Sequence, residues 1–577
     1  MGNCNNCKFC NETDNDSIDS SLKISPNSIL GEYSQMTPTT SICCCKTKPL
    51  KNRTLLDNIK LSTKEKKIFE KKITKNATKS IRIIRKSEDM SSSRNIPCNT
   101  EKLDLSDISL SITNKLFINE IEQSPEKKYK ILNNLGHGSY GDVFLAMNIY
   151  TKEKFAIKKI YKTNEDLLSD GILIDEIEIL KNLSHPDIVK IIEFYGTQEA
   201  YYIVNEYCSG GELYDKAIGY LSETQVSVIF KQILSGLSYL HSNNIVHRDL
   251  KLENILISDK EFIESTGEEY YDIKIIDFGN ARIFDKNITN KSIVGSSYYI
   301  APEVFLRKSN KECDLWSAGV ILYMLIVGSP PFDGSSDKNI IKTIKTGIFD
   351  TKNSRWIHAS SEVKDLISKL LVYEPNKRLS ANEALQHPWF RKTNSNILYY
   401  NIPKNEILKC IENILSYNVK SKFEELVLAY IIHNMTKKKE CKTAIKLFKL
   451  VNTKGDGKLK KNELKKTLLN FVSEEYLKNF DKIFYLLDGE NHGYIEYDVF
   501  LRAALDKKTI LTENNLKNAF NFFDKGNNGF ITKDKMKQIF AGSKIEVQLL
   551  NHIFDEKDTN KDGKIYFEDF RNMMVYD

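Results

Sequence analysis

A glycine-rich segment followed by a lysine in a strand-type run gives this sequence the parts of a phosphate-binding site. The segment, Gly136-His137-Gly138-Ser139-Tyr140-Gly141-Asp142-Val143, allows a strand-turn-strand to lie close over phosphates, because side chains at the glycines would block the backbone. Dinucleotide sites share this spacing but require a helix directly after the glycines. Here a strand-type pattern continues through Ala146, and Lys158 lies in the next such run, where its ammonium can hold α- and β-phosphates.

Two later motifs could supply a base and the ligands of a magnesium ion. In His247-Arg248-Asp249-Leu250-Lys251-Leu252-Glu253-Asn254, Asp249 would orient an acceptor hydroxyl and take its proton, and Asn254 would bind magnesium. Lys251 could stabilise charge on the transferring phosphoryl group. Asp277, which begins Asp277-Phe278-Gly279, would make the main magnesium contact. This set indicates transfer of a phosphoryl group from ATP to a hydroxyl.

A helical pattern between the lysine and these motifs offers an ion-pair partner for Lys158. Glu176 is the natural candidate, although Glu178 could compete, and a solvated helix face is the plain alternative. A given tripeptide arises by chance in a chain of this length about one time in ten to twenty. The complete set, closed by Ala301-Pro302-Glu303, comes in the right order, so coincidence is negligible.

The C-terminal part of the chain contains an internal repeat. Gly457, Gly493, Gly529 and Gly563 follow one another at intervals of 36, 36 and 34 residues, each in an Asp/Asn-rich loop between amphipathic helical patterns. Helix–loop–helix repeats of this kind are typical of EF-hands, which usually occur in pairs.

The four loops differ in how many calcium ligands they keep. Calcium requires oxygen ligands at loop positions 1, 3, 5, 7 and 9 and a bidentate carboxylate at position 12. The first loop has Lys454 at position 3, whereas Val499 and Lys535 stand at position 12 of the second and third. The fourth loop keeps its ligand positions, which are Asp558, Asn560, Asp562, Lys564 and Asp569. We therefore expect one calcium site there, a weak second site at most in the first loop, and ion-free structural hands in loops two and three.

Composition narrows the possible classes of protein. The 577 residues, 66.5 kDa in mass, are enough for two to four domains. The sequence contains no run of 18 or more apolar residues, so a membrane-spanning helix is not expected. The net charge of +7 hides a basic segment, Lys46–Lys86, with 15 Lys+Arg against 3 Asp+Glu. Because the rest of the chain is slightly acidic, a nucleic-acid-binding function is not expected.

The N-terminal residues suggest a lipid anchor. Gly2 follows Met1 and could be myristoylated, although Asn6 replaces the preferred Ser/Thr, and Cys4 and Cys7 are candidates for palmitoylation. A second acyl chain or the basic segment would make such anchoring stable. A zinc site formed with Cys10 lacks a convincing fourth ligand. A solvated linker or a nuclear-import patch remains the alternative for the basic segment.

These motifs together resemble a known family. Residues 129–390 resemble a eukaryotic protein kinase domain and the following residues a calmodulin-like tail, as in the calcium-dependent protein kinases of plants and alveolate protists. The resemblance implies a multidomain α+β chain, with a bilobal kinase fold followed by an all-α EF-hand domain, behind a disordered N-terminal leader. The expected divisions are a lipid-anchor leader, a basic linker, the kinase domain, an autoinhibitory junction helix and the EF-hand domain, at 1–45, 46–128, 129–390, 391–440 and 441–577.

The resemblance also implies roles for individual residues. It favours a Ser/Thr over a Tyr kinase, with Arg378 paired to Glu303 and Asp314 on the helix that anchors the catalytic loop. Glu212 and Glu253 match family positions that contact ribose or basic substrate residues. The alternative is that they are ordinary surface carboxylates. Residues at the edge of the adenine pocket are Glu206 and Cys208, preceded by Asn205 where an apolar residue or Thr is usual.

The resulting expectation is a monomeric, calcium-regulated Ser/Thr protein kinase that uses ATP, Mg²⁺ and Ca²⁺. Its protein substrates would carry Ser/Thr near basic residues, and it would work at the cytoplasmic face of a plasma membrane or endomembrane, otherwise in the cytoplasm. Two alternatives remain open at this point. One is a membrane-tethered, calcium-responsive scaffold with an inactive kinase fold, and the other is an active kinase insensitive to calcium.

Overall fold

The computed structural model describes a folded body and not the N-terminal region. The described residues are 114–118, 120–138, 141–162, 172–218, 220–284, 296–308, 310–393, 395–397, 402–418, 421–435, 438–540, 551, 554–555, 558 and 560–575. The expected leader, lipidation sites and basic segment lie outside them. Within the described ranges, no helix combines the length and hydropathy needed to cross a bilayer.

The first lobe is a six-stranded sheet with strand order β1-β5-β6-β4-β3-β2. Only β1 and β5 run parallel, and the remaining neighbours in the sheet are antiparallel. Helix α1, Ile172–Lys181, follows β4. The strands are β1 Glu120–Ile121, β2 Tyr129–Gly138, β3 Gly141–Asn148, β4 Lys154–Tyr161, β5 Ile191–Gly196 and β6 Ala200–Glu206.

The second lobe is built around two helices. A capping box formed by Ser222 and Gln225 starts α3, Glu223–Ser242, because each satisfies a backbone N–H that the first turn leaves free. Helix α4, Glu312–Val327, is buried over nearly all its length, and a Cβ at Gly319 would lie 2.9 Å from side-chain atoms of Leu370 and Leu371. The other helices are α2 Leu213–Ala217, α5 Asp337–Thr346, α6 Ser354–His358, α7 Ser361–Leu370, α8 Ala381–Leu385 and α9 Pro388–Lys392.

Two pairs of strands flank the loops of this lobe. β8 and β9 form a long hairpin, and β7 pairs with β10. The motif residues of the catalytic loop lie between β7 and β8, and Asp277 lies two residues after the end of β9. The strands are β7 Ile245–Val246, β8 Ile255–Ile263, β9 Glu268–Ile275 and β10 Arg282–Ile283.

The C-terminal part is a helical EF-hand module in which loops are joined in pairs. Strand β11 pairs with β12 between loops one and two, and β13 with β14 between loops three and four. The strands are β11 Lys458–Lys460, β12 Tyr494–Glu496, β13 Phe530–Ile531 and β14 Ile565–Tyr566. The helices are α10 Lys404–Leu415, α11 Lys422–Asn434, α12 Lys438–Val451, α13 Lys461–Leu468, α14 Phe480–Leu487, α15 Tyr497–Ala504, α16 Lys507–Ile510, α17 Glu513–Phe523, α18 Lys533–Ile539 and α19 Phe567–Val575.

Two large hydrophobic cores divide the body. One joins the sheet lobe to the helical lobe, and the other unites the EF-hand helices with the junction helices α10 and α11. Part of the segment expected to be a linker belongs to this folded body. Phe117 contacts Tyr430 and Phe522 in the second core, and β1 adds a strand to the sheet.

Candidate active site and calcium loops

A buried ion-pair network lies at the back of the nucleotide cleft. Lys158 on β4 donates from Nζ to Glu176 Oε1 at 2.7 Å and to Asp277 Oδ1 at 3.1 Å, so the predicted partner is confirmed. Glu178 is exposed and pairs with Lys181. Burial opposes charge on Lys158, but the carboxylates of Asp277 and Glu176 outweigh it and raise the pKa of the ammonium. Lys158 is therefore held positive where a nucleotide's phosphates would lie.

One buried carboxylate holds the backbone of the catalytic loop, residues 247–254. Asp314 on α4 accepts hydrogen bonds from the backbone N–H groups of His247 and Arg248, both at 2.9 Å. Arg248 has φ of +66°, a left-handed conformation that a non-glycine residue keeps only when its surroundings hold it. These bonds confirm that Asp314 anchors the loop. Asp249, the next residue, is thereby presented at the cleft.

Asp249 lies among the groups that its predicted role requires. Lys251 Nζ lies 3.2 Å from Asp249 Oδ2, and Asn254 Nδ2 donates to the Asp249 carbonyl oxygen at 2.8 Å. Burial raises the pKa of Asp249, and the ammonium of Lys251 opposes that shift. A partly desolvated carboxylate of this kind suits the acceptance of a proton from a substrate hydroxyl.

The two predicted magnesium ligands fit a hard cation. Because Asn254 Nδ2 donates to the backbone, the amide oxygen is the end that remains for a metal. Burial would raise the pKa of Asp277, but Lys158 outweighs it and lowers that pKa, so the carboxylate stays ionised. Oxygen ligands of this type are those that Mg²⁺ prefers, usually with substrate phosphates completing its shell. Bound magnesium would neutralise charge on the phosphates during transfer.

Ser296 is a contact that the sequence analysis did not assign. Lys251 Nζ donates to Ser296 Oγ at 3.1 Å. This bond ties the activation segment, residues 277–303, to the catalytic loop. Ser296 was recognisable in sequence only as one hydroxyl of Gly295-Ser296-Ser297-Tyr298-Tyr299. Its contact positions the Lys251 ammonium beside Asp249.

The glycine-rich segment supplies the end of β2 and the start of β3, and Ser139 and Tyr140 lie outside the described residues. Gly136 pairs with Val143, and Gly138 with Gly141. A Cβ at Gly141 would come within 1.9 Å of the Lys159 carbonyl oxygen, so no larger residue fits there. The structure therefore brings these residues together on the strands next to Lys158.

The predicted adenine edge lies at the end of β6. The Glu206 carboxylate accepts from Lys190 N at 2.8 Å and pairs with Lys274 at 2.7 Å. The Glu206 backbone N–H also donates to the Lys190 carbonyl oxygen at 3.0 Å, so both the side chain and the amide are held by the chain that precedes β5. Cys208 is buried, and the Asn205 amide oxygen is buried without a hydrogen-bond partner.

An acidic group lies beside the catalytic loop. Glu212 has a raised pKa, which burial causes first and the negative charges of Asp215 and Glu253 increase, while Lys251 opposes it. Glu212 forms an antiparallel bridge with Leu256, which places it beside the chain that carries Glu253. A cluster of carboxylates at this place is complementary to basic residues of a substrate.

A buried pair stabilises the end of the activation segment. Arg378 donates to both carboxylate oxygens of Glu303, at 2.6 and 2.7 Å. A bidentate pair of this kind has strong geometric specificity. The expected ion pair is confirmed.

In the first two EF-hand loops, position 12 does not offer an unengaged carboxylate to calcium. In the first, Lys454 Nζ bonds Glu463 Oε1 at 2.8 Å, so the lysine at position 3 takes the carboxylate at position 12. In the second, Asp488 accepts from the N–H groups of His492 and Gly493, while Val499 at position 12 offers no ligand. At position 1 of the first loop, Asn452 Oδ1 is buried without a hydrogen-bond partner, so the weak second site expected there stays a prediction.

The fourth loop fits a cation at its first position. Asp558 Oδ2 accepts from Gly563 N at 2.8 Å, whereas Asp558 Oδ1 is buried and has no hydrogen-bond partner. Asn560 Oδ1 and Asp562 Oδ1 accept from backbone N–H groups within the loop. No three His, Cys, Asp or Glu side chains converge as metal ligands in the described residues, and this loop also relies on an amide and a carbonyl oxygen. The orphaned oxygen of Asp558 is what a calcium ion would satisfy.

The EF-hand module is joined to the helical lobe by buried charges that the sequence analysis missed. Lys449 on α12 lies 2.6 Å from Asp187 Oδ1 and 3.0 Å from Asp272 Oδ1. Nearby, Ser238 Oγ on α3 donates to the Lys454 carbonyl oxygen at 2.7 Å. Asp272 belongs to β9, whose last residue is two positions before Asp277. The module therefore contacts a strand that leads into the active site.

The junction helices pack within the EF-hand module. Their apolar residues, such as Ile411 and Phe423, are fully buried in its core. The end of α11 also reaches the sheet lobe, where Lys190 Nζ donates to the His433 carbonyl oxygen at 2.6 Å.

Comparisons with known proteins agree with this geometry. The profile of the protein kinase domain matches residues 129–390, and that of the EF-hand domain pair matches residues 513–575. Calcium-dependent protein kinase 4 of Plasmodium berghei is 37% identical over 478 residues, which cover 80% of this chain and 88% of that protein. Calcium-dependent protein kinase 4 of Plasmodium falciparum is 37% identical over 475 residues, with the same coverages. Calcium-dependent protein kinase 5 of Plasmodium falciparum is 38% identical over 451 residues, 76% of each chain.

Proposed function

Because this chain belongs to the calcium-dependent protein kinase family, we propose that it phosphorylates Ser/Thr residues in basic protein segments at a membrane face. The protein is an ATP-dependent Ser/Thr protein kinase that uses Mg²⁺ and is regulated by Ca²⁺. The observation that carries the activity is the arrangement of Lys158, Asp249 and Asp277 around one cleft.

Each of these residues has a distinct part in phosphoryl transfer. Lys158, held positive by two carboxylates, binds and orients phosphate oxygens. Asp249 orients the acceptor hydroxyl and receives its proton, while Lys251 places a positive charge next to the reacting group. Positioning and charge neutralisation supply most of the catalysis in such reactions.

The preference for basic substrates rests on the carboxylates Glu212 and Glu253. A substrate arginine near the phosphoacceptor would relieve the repulsion between them. We expect Glu253→Gln to lower kcat/KM for an Arg-containing Ser peptide by roughly threefold to fivefold, the range of a partly exposed ion pair. The same peptide with Gln in place of Arg should be affected little, because it offers no charge to lose.

Steady-state kinetics with both peptides measure this preference. Glu264→Gln, an exposed carboxylate at the β8–β9 turn, is the matched control. An equal loss with both peptides would show that Glu253 acts on the fold and not on substrate charge.

The membrane part of the proposal is supported by the sequence alone. Gly2, Cys4 and Cys7 could carry acyl chains, and Lys46–Lys86 would add electrostatic attraction to an anionic surface. A cytoplasmic location is expected otherwise. We expect Gly2→Ala to abolish myristate labelling in cells and to move the protein from the membrane to the soluble fraction. Asn3→Ala, which keeps Gly2, is the control, and membrane retention of the Gly2→Ala protein would contradict the anchor.

The junction helices α10 and α11 are the proposed carriers of the calcium signal. Their apolar faces lie in the EF-hand core, and the end of α11 contacts the sheet lobe. A rearrangement of the EF-hand loops could therefore shift these helices and alter their contact with the sheet lobe. No nucleic-acid partner is proposed, and the working state is taken as a monomer.

A further inference from the structure

A lysine side chain lies inside the third EF-hand loop. Lys535, at position 12, donates from Nζ to Asp524 Oδ1 at 2.5 Å, to Asn528 Oδ1, and to the Phe530 carbonyl oxygen at 2.9 Å. These acceptors stand at positions 1, 5 and 7, which are the positions that supply oxygens to calcium in this kind of loop. An ammonium has three N–H donors, and all three are used.

The loop is shaped to admit this ammonium. Gly526 occupies position 3, where a calcium-binding loop has a ligand side chain. A Cβ at Gly526 would lie 3.3 Å from Lys535 Nζ, so a larger residue would crowd it. Glycine at position 3 and lysine at position 12 are therefore complementary, and each residue removes a calcium ligand.

The fourth loop provides an internal comparison. Asp524 Oδ2 accepts from Gly529 N at 2.8 Å, and Asp558 Oδ2 accepts from Gly563 N at the same distance. The other oxygens differ, because Asp524 Oδ1 is bound by Lys535 whereas Asp558 Oδ1 is buried without a partner. In the residues that the structure describes, the two loops share this Asp-to-Gly hydrogen bond, and the third adds the Lys535 ammonium at the other oxygen.

Burial and charge agree with a permanent contact. The Asp524 side chain is 3% exposed and that of Lys535 is 14% exposed. Burial would raise the pKa of Asp524, but hydrogen bonds from Lys535 and from the Gly529 and Asn528 amides outweigh it and lower that pKa. Removing the partner of a buried carboxylate destabilises the fold strongly, because an uncompensated buried charge is left behind.

We infer that the Lys535 ammonium is a built-in substitute for calcium, which keeps the third loop in its ion-bound form at any calcium concentration. The lysine is tethered and carries one charge, so the loop is assembled without an ion and cannot release one. Because β13 pairs with β14 through Ile531 and Ile565, the assembled third loop supports the fourth. The first loop has a related contact, since the Lys454 ammonium at position 3 pairs with the Glu463 carboxylate at position 12.

This inference rests on the calcium regulation proposed above. It assigns calcium binding within the pair of third and fourth loops to the fourth loop alone. Its test uses calcium stoichiometry and amide exchange in the full-length chain, so its failure would be separate from any failure of kinase regulation. Calcium titration of the Gly526→Asp/Lys535→Glu variant should show one more bound ion per chain than the wild type. In an Asp558→Ala background, the rebuilt loop should bind an ion that Asp558→Ala alone does not bind.

The control is Lys537→Glu, which repeats the Lys-to-Glu part of this change on α18 outside the loop. It should leave the stoichiometry at the wild-type value. If the rebuilt loop gains no calcium relative to wild type and to this control, the assignment of Lys535 to the ion position is overturned.

Hydrogen exchange of the Gly529 amide gives a second measurement that does not depend on a gained site. In EGTA, we expect the wild-type amide to be protected, and Lys535→Met to raise its exchange rate by about tenfold or more. Equal exchange rates in the two proteins without calcium would overturn the inference, since the lysine would then not hold the loop.

Discussion

Asp249→Asn should lower kcat for phosphorylation of a basic Ser peptide by roughly 10²- to 10⁴-fold, the usual contribution of a positioned general base. The substitution keeps the size of the side chain and its place between Lys251 and Asn254, but an amide cannot accept the hydroxyl proton. ATP binding should change little, because Lys158 and Asp277 are untouched. Initial rates at saturating MgATP, with nucleotide affinity measured separately, test both expectations.

The matched control is Asp333→Asn, which changes an exposed carboxylate outside the catalytic loop. Its kcat should equal that of the wild type. Undiminished activity in Asp249→Asn would show that another group takes the proton. Wild-type protein with no magnesium-dependent turnover, yet with partner binding intact, would instead favour the inactive scaffold.

Asp558→Ala should remove most of the calcium-dependent increase in kinase activity. Asp558 is at position 1 of the loop that fits an ion, and its buried Oδ1 has no other partner. The wild-type response should be shallow, with a Hill coefficient of about 1, because the third loop already contains the Lys535 ammonium and does not add a second ion. Calcium titration of activity and of direct binding in the same protein checks both.

Asp488→Ala, at position 1 of the second loop, is the control for this experiment. It should preserve the calcium response, because that loop has Val499 at position 12. A response that survives in Asp558→Ala, or is lost equally in Asp488→Ala, would place calcium control elsewhere. Activity that is equal with and without calcium in the wild type would support the calcium-insensitive kinase.

The catalytic centre could be predicted largely from the sequence. Phosphate binding, the base and the metal ligands are each coded by residues close together in the chain, such as Asp249 and Asn254, whose chemistry depends on residue type and short spacing. The pairing of Lys158 with Glu176 was also predictable, from the register of its helix in the family that the sequence resembles. Ser296 was not, because its contact with Lys251 depends on the path of the activation segment.

The contact between kinase and sensor could not be predicted in this way. Lys449 is one lysine among many on α12, and nothing in its neighbours marks it. Its partners Asp187 and Asp272 are far away in sequence and come to it only when the helical lobe and the EF-hand module pack. A hydrogen-bonded charge pair across such a distance depends on tertiary packing, which residue spacing does not encode.

The reaction class, the order of the catalytic groups and the loss of calcium ligands at Lys454, Val499 and Lys535 follow from the amino-acid sequence. Those properties depend on which side chain stands at a given position of a local motif. The contacts that these lysines make depend on the folded chain. A long, flexible side chain could point into solvent or into its loop, and the folded backbone turns Lys535 inward onto Asp524 and Phe530. A residue that excludes calcium by its charge thus becomes the cation that holds the loop together.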